Sequence, residues 1–207
     1  MNTDEKKPSV YGTMLKILNH LNSPQEQKNL AGNLAAIRNS TGKGFDDALG
    51  VWPILFPLMP EEYLGNGSLS YEEKALLVSL QLYALGQQGS NKVMNDEKNS
   101  VGSALRHLRN EKSSSLDRRF NTMLTSTTFD EFTYYLRQIF KLGKSDNTFK
   151  LNFSGLADDL FIYQIGGSRQ ICLKWAKDYY RSIQKDEDYT SSVTDTSNNN
   201  DEKKEAL

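Results

Sequence analysis

The stretch from Val101 to Leu124, VGSALRHLRNEKSSSLDRRFNTML, is rich in arginine and nearly free of acid. At 3.6 residues per turn, Val101, Ala104, Leu105 and Leu108 share one side of a helix, while Gly102, Arg106 and Arg109 share the other. In a second helix Leu116, Phe120, Met123 and Leu124 form the apolar stripe. That leaves Arg118, Asn121, Thr122 and Thr125 outward, with Arg119 at the border. Guanidinium groups fixed on helices suit phosphate oxygens, which they hold by charge-assisted bonds. Gly102, beside two arginines, would let an extended backbone approach the helix surface closely. The same arginines are equally compatible with ordinary solvation.

Groups for catalysis are scarce. His20 and His107 lie on different predicted helices, away from the spacing of a metal pair, so no metal site is expected. Adjacent helical residues point about 100° apart, so Asp158 and Asp159 do not jointly flank a reacting atom. One of them is expected to accept hydrogen bonds from a neighbouring helix or an arginine, Arg119 being a candidate partner for Asp158. Gly42-Lys43-Gly44 lacks the glycine spacing and the following Ser or Thr of a phosphate loop. Cys172, next to Ile171, reads as a small buried residue rather than a nucleophile. Neither an enzyme activity nor a cofactor is expected.

The elements that must position the arginines are helices throughout. Ser23-Pro24-Gln25-Glu26 reads as a capping box opening a helix to about Arg38, with Leu30, Leu34 and Ile37 inward. Ser70-Tyr71-Glu72-Glu73 opens another through Leu76, Leu80 and Tyr83, and Thr128-Phe129-Asp130-Glu131 a third. After Gly166-Gly167, Ser168 is expected to cap a fourth, whose core stripe is Ile171, Trp175, Tyr179 and Ile183. Strand-like alternation is absent at any useful length, so the chain is read as all-α.

Charge divides the chain more sharply than composition does. Residues 1–89 hold 7 Lys+Arg against 9 Asp+Glu, residues 90–185 hold 16 against 10, and residues 186–207 hold 2 against 7. The expected organisation is an N-terminal helical lobe (1–89), a basic C-terminal helical bundle (90–185), and an acidic tail (186–207) too poor in large apolar groups to fold. A polyanion would dock on the basic middle. No apolar run approaches the ~20 residues that span a bilayer, and MNTDEKKPSV lacks the apolar segment of a secretory leader. With Cys172 as the single cysteine, a reducing cytoplasm is the expected compartment.

Phe129 to Leu142 repeats the arginine-helix pattern with more aromatic content. Phe129, Phe132, Tyr135, Leu136 and Ile139 face inward, and Thr133, Tyr134, Arg137 and Lys141 share the outer side. A ring beside two cations suits a single strand, the cations taking phosphates and the ring stacking a base. Tyr134 would equally serve to cover a core edge.

The succession V-G-S-A-L-R-H-L-R at Val101, S-L-D-R-R-F at Ser115, Y-L-R-Q-I at Tyr135, F-S-G-L-A-D-D-L at Phe153 and W-A-K-D-Y-Y at Trp175 resembles the CasB family, the small subunit of the type I-E CRISPR surveillance complex Cascade. L-A-A-I-R at Leu34 matches more weakly. The resemblance implies an all-helical, non-catalytic protein that assembles with a second copy of itself, the large subunit and the backbone subunits. It implies contact with the guide crRNA, the target strand and the displaced DNA strand of the R-loop. Residue by residue it implicates Arg38, Arg106, Arg109, Arg118, Arg119 and Arg137. Helix geometry adds Lys141 to these. Asn39 stands where members of the family often carry a second basic residue. Two rival readings remain at this point: a helical adaptor that binds only protein, and a small subunit of another CRISPR ribonucleoprotein.

Overall fold

The computed structural model describes residues 8–43, 47–89, 94–109, 114–146 and 148–181. The described helices are α1 (Val10–Leu21), α2 (Gln27–Asn39), α3 (Trp52–Leu55), α4 (Tyr71–Gly86), α5 (Val101–Arg106), α6 (Ser114–Leu124), α7 (Phe129–Gly143), α8 (Phe153–Ile162) and α9 (Ser168–Tyr180). Among the described residues there is no strand, only one parallel bridge between Asn95 and Leu151. The fold is all-α.

α4 is the axis of the molecule. Every residue from Ala75 to Ala84 is buried, a wider face than the stripe of Leu76, Leu80 and Tyr83 read from periodicity. A helix apolar nearly all round must be covered on all sides. Here α2 and α8 pack along it, and α1 and α7 touch it. Its start is the expected capping box: Ser70 Oγ accepts from Glu73 N at 3.1 Å, and Glu73 Oε2 accepts from Ser70 N at 2.6 Å.

α8, from the later half of the sequence, packs against α1 as well as α4. The buried apolar residues consequently form one cluster from Val10 to Tyr179. The boundary read between residues 89 and 90 coincides with the edge of a described stretch, and Ile183 and the acidic tail from residue 186 lie outside the described residues.

Two helix starts differ from expectation. α2 begins at Gln27 without a side-chain cap, and the Glu26 carboxylate takes Asn29 Nδ2 at 3.3 Å and faces His20 at 3.8 Å instead of closing a box with Ser23. Ser168 is the first residue of α9 rather than its cap, which is Gly167. Between α8 and α9 the chain kinks within Tyr163–Gly167: Ile165 (φ −86°, ψ 21°) and Gly166 (φ 102°) leave helical dihedrals, and the conformation of Gly166 favours glycine. At the start of α7, Thr128 caps as expected, its Oγ1 accepting from Glu131 N at 3.2 Å. Glu131 answers to Thr127 N at 3.0 Å rather than to Thr128 N. The Ile171, Trp175 and Tyr179 stripe is core, as read.

Candidate nucleic-acid interface

A buried glutamine organises the cationic side of α4. Gln81, 1% exposed, donates through Nε2 to Ser40 O at 3.1 Å and Ser40 Oγ at 3.0 Å, which ties the end of α2 to α4. Its Oε1 accepts from Arg137 Nη2 at 3.2 Å, which ties α7 to the same point. Arg137 Nη1 reaches Thr133 Oγ1 at 3.4 Å, one turn back on its own helix. Arg38 reaches Ala84 O at 3.5 Å and Lys144 reaches Leu85 O at 3.5 Å, so two cations meet the last carbonyls of α4, where the helix dipole is negative.

Beside this hub lies a cleft of about 390 Å³ between residues 41–43 and the outer face of α7. Its cations are Lys43, Arg137 and Lys141, and Tyr134, 55% exposed, supplies an open ring. Asp130 is the acid among its lining residues. Burial lowers the basicity of Arg137 and the Asp130 charge opposes that shift, while the guanidinium remains charged. Arg137 Nε is buried and has no acceptor among the described residues. The cleft therefore combines point charges, a fixed guanidinium and an aromatic face, which together suit a sugar-phosphate strand with an unstacked base.

Of the seven residues singled out in the sequence, the structure brings together Arg38, Arg137 and Lys141 around α4 and this cleft. The others do not line it. Arg118 and Arg119 are exposed on α6. Arg106 ends α5, half-buried, with its Nε desolvated and without an acceptor among the described residues.

Arg109 departs most from the expectation of a free outward cation. It lies beyond α5, its Nε donates to Asp117 Oδ1 at 3.2 Å, and its guanidinium carbon sits 5.0 Å from the Tyr179 ring centroid and 5.2 Å from that of Tyr180. The same Asp117 accepts from Tyr179 Oη at 2.6 Å. Burial first, then the bond and charge of Asp117, raise the Tyr179 phenol far above its usual range. Arg109 thus clamps α6 to α9. Gly102 likewise faces α9 rather than solvent: a Cβ there would meet Trp175 O at 2.2 Å. Its missing side chain admits another helix, not a ligand.

The acid pair on α8 is structural, as read, but with other partners than Arg119. Asp159 accepts from Lys174 Nζ and from Trp175 Nε1, both at 2.7 Å, holding α8 to α9. Asp158 is half-buried; burial and the neighbouring Asp159 raise its pKa, against Lys174 and a bond from the Tyr11 backbone. Cys172 is half-buried rather than fully enclosed, and its thiol is pushed up by that burial, which keeps it protonated and weakly nucleophilic.

Gln81, Lys43 and Lys144 are members of this region that periodicity and motif spacing do not single out. A signal for Gln81 is present: it is the one amide within the apolar run ALLVSLQLYAL. Lys43 sits in the segment that fails as a phosphate loop, and the geometry places it opposite Arg137 without any such loop.

A sequence model described as CRISPR-associated protein Cse2 matches residues 33–180, well over half of the chain. No curated protein matches it. Among solved structures, a Cse2-family CRISPR-associated protein from Thermus thermophilus superimposes with a TM-score of 0.67 at 24% identity, covering 84% of this chain and 100% of that one. CasB from Thermobifida fusca gives 0.62 at 21% identity, covering 82% and 94%. M. ruber CasB gives 0.60 at 21% identity, covering 84% and 93%. The protein belongs to the CRISPR-associated Cse2 (CasB) family of Cascade small subunits.

Proposed function

We propose that this chain is the non-catalytic, nucleic-acid-binding small subunit of a type I-E Cascade, working in the cytoplasm beside the guide crRNA, the target strand and the displaced strand of the R-loop. A second copy of the chain, the large subunit and the backbone subunits are its protein partners. The observation that carries this reading is the cleft in which Arg137, Lys141, Lys43 and the exposed ring of Tyr134 converge. Base pairing with the guide supplies sequence specificity, and the protein supplies charge and shape. Arg137 is held in place by Gln81, so it meets a phosphate with little ordering cost. Lys141 and Lys43 add mobile charge, and Tyr134 stacks an unpaired base. Arg38, Arg106, Arg118 and Arg119 extend the cationic surface, and Arg109 contributes mainly through the fold.

The test is R-loop retention by the assembled complex carrying Arg137→Ala and Lys141→Ala together. Loss of two charge-assisted contacts should shorten R-loop lifetime by about tenfold or more. An unchanged lifetime, with the subunit still in the complex, would remove the cleft from the account.

A further inference from the structure

The outer face of α9 carries an exposed cationic stripe that the cleft does not use. Arg169, Leu173, Lys177 and Tyr180 fall within about 80° of one another around the helix, with Arg181 at the flank. All five are exposed, Leu173 by 56% and Tyr180 by 44%. The neighbouring carboxylates are already engaged: Asp159 by Lys174 and Trp175, Asp178 by Ser100 Oγ at 2.6 Å, and Asp117 by Arg109 and Tyr179. Arg169, Lys177 and Arg181 are left without a carboxylate among the described residues.

The sequence that follows Arg181 is S-I-Q-K-D-E-D-Y, and residues 186–207 hold 7 acids against 2 lysines. We propose that this acidic segment docks back along α9 of its own chain, the triplet Asp186, Glu187 and Asp188 against Arg169, Lys177 and Arg181, with Tyr189 beside Leu173 and Tyr180. The reach is sufficient: Arg169 lies ~18 Å back along the helix from Arg181, and a seven-residue stretch such as 182–188 can span at most ~23 Å. The alternation also matches, acid followed by an aromatic residue on the segment and cations flanking two apolar groups on the helix. Docked there, the segment imitates a nucleic-acid strand and lowers affinity for weak, nonspecific phosphates, leaving tight ones to displace it. Docking is independent of the function proposed above, whereas competition with nucleic acid rests on it.

Two measurements on the full chain separate these. The first compares amide NMR spectra of the protein with those of the Asp186→Asn, Glu187→Gln, Asp188→Asn variant. Docking predicts shift differences reaching back to Leu173 and Arg169, independent of protein concentration and erased by high salt. Differences confined to the residues next to the substitutions overturn it, and so do concentration-dependent differences, which would place a second copy on α9. The second measures single-stranded DNA affinity at low salt. The neutralised variant should bind roughly fivefold more tightly, and the gain should vanish in a chain that also carries Arg169→Ala and Lys177→Ala. Equal affinities, with the spectral differences present, would leave docking and overturn the competition.

Discussion

Arg137 Nη2 lies 3.2 Å from Oε1 of Gln81, an amide in the middle of the buried run Ala75 to Ala84 of α4. One glutamine therefore anchors a cation of the cleft to the axis of the fold and, through Ser40, to the end of α2. The proposed binding surface and the core are joined at this contact, and changes on either side should be felt on the other.

Gln81→Leu keeps volume and removes both functions of the amide. It strips Ser40 O of a donor inside the core and releases Arg137. Stability should fall by about 2 kcal/mol, read as a lower urea midpoint with unchanged m-value, and DNA affinity should fall with it. A variant as stable as the parent would show that the bonds contribute nothing net.

Arg109 answers a different question. If its role is to clamp Asp117 and stack on Tyr179 and Tyr180, Arg109→Ala should cost about 1 kcal/mol of stability. A double-mutant cycle with Asp117→Ala should give a positive coupling energy. Zero coupling would return Arg109 to the set of free surface cations.

Gly102→Ala forces a methyl group against Trp175 O and separates α5 from α9. The expected cost is about 3 kcal/mol. Gly32→Ala on α2, where nothing lies within 4 Å, should instead stabilise by about 0.7 kcal/mol. The opposite signs, measured by chemical denaturation, distinguish close packing from mere backbone entropy.

Asp158 supplies a pH dependence. Its pKa is raised in the folded state by burial and by Asp159, so folding binds the proton more tightly than the unfolded chain does. Its favourable contribution is full below the ordinary carboxylate pKa and is lost as pH rises through the raised value. Asp158→Asn, which keeps an oxygen for the Tyr11 backbone donor, should therefore gain stability relative to the parent between acid and neutral pH. Parallel stability curves over that range would contradict the sign.

How far the sequence could be read follows from these residues. The Ser70 box and the Trp175 stripe were legible because a capping box and a core stripe are repeats within one element. The family blocks were legible too, and the match over residues 33–180 bears them out. Gly102 and Arg109 were read as facing a ligand because helical periodicity tells which side a residue is on, not which element covers that side. In both cases α9 covers it, from some 70 positions away in sequence. Ser23 is not the cap because Pro24 to Glu26 form a turn of their own, and α2 begins only at Gln27. The cleft was half legible: Tyr134, Arg137 and Lys141 share a helix face, whereas Lys43 and Gln81 join them only through tertiary packing.

The salt dependence of single-stranded DNA binding tests the central claim most directly. A strand held by about six phosphates should give a slope of log affinity against log salt near −4, and Arg137→Ala with Lys141→Ala should reduce its magnitude by about 1.4. A flat response, or a slope untouched by those two substitutions, would contradict a phosphate-binding cleft on α7.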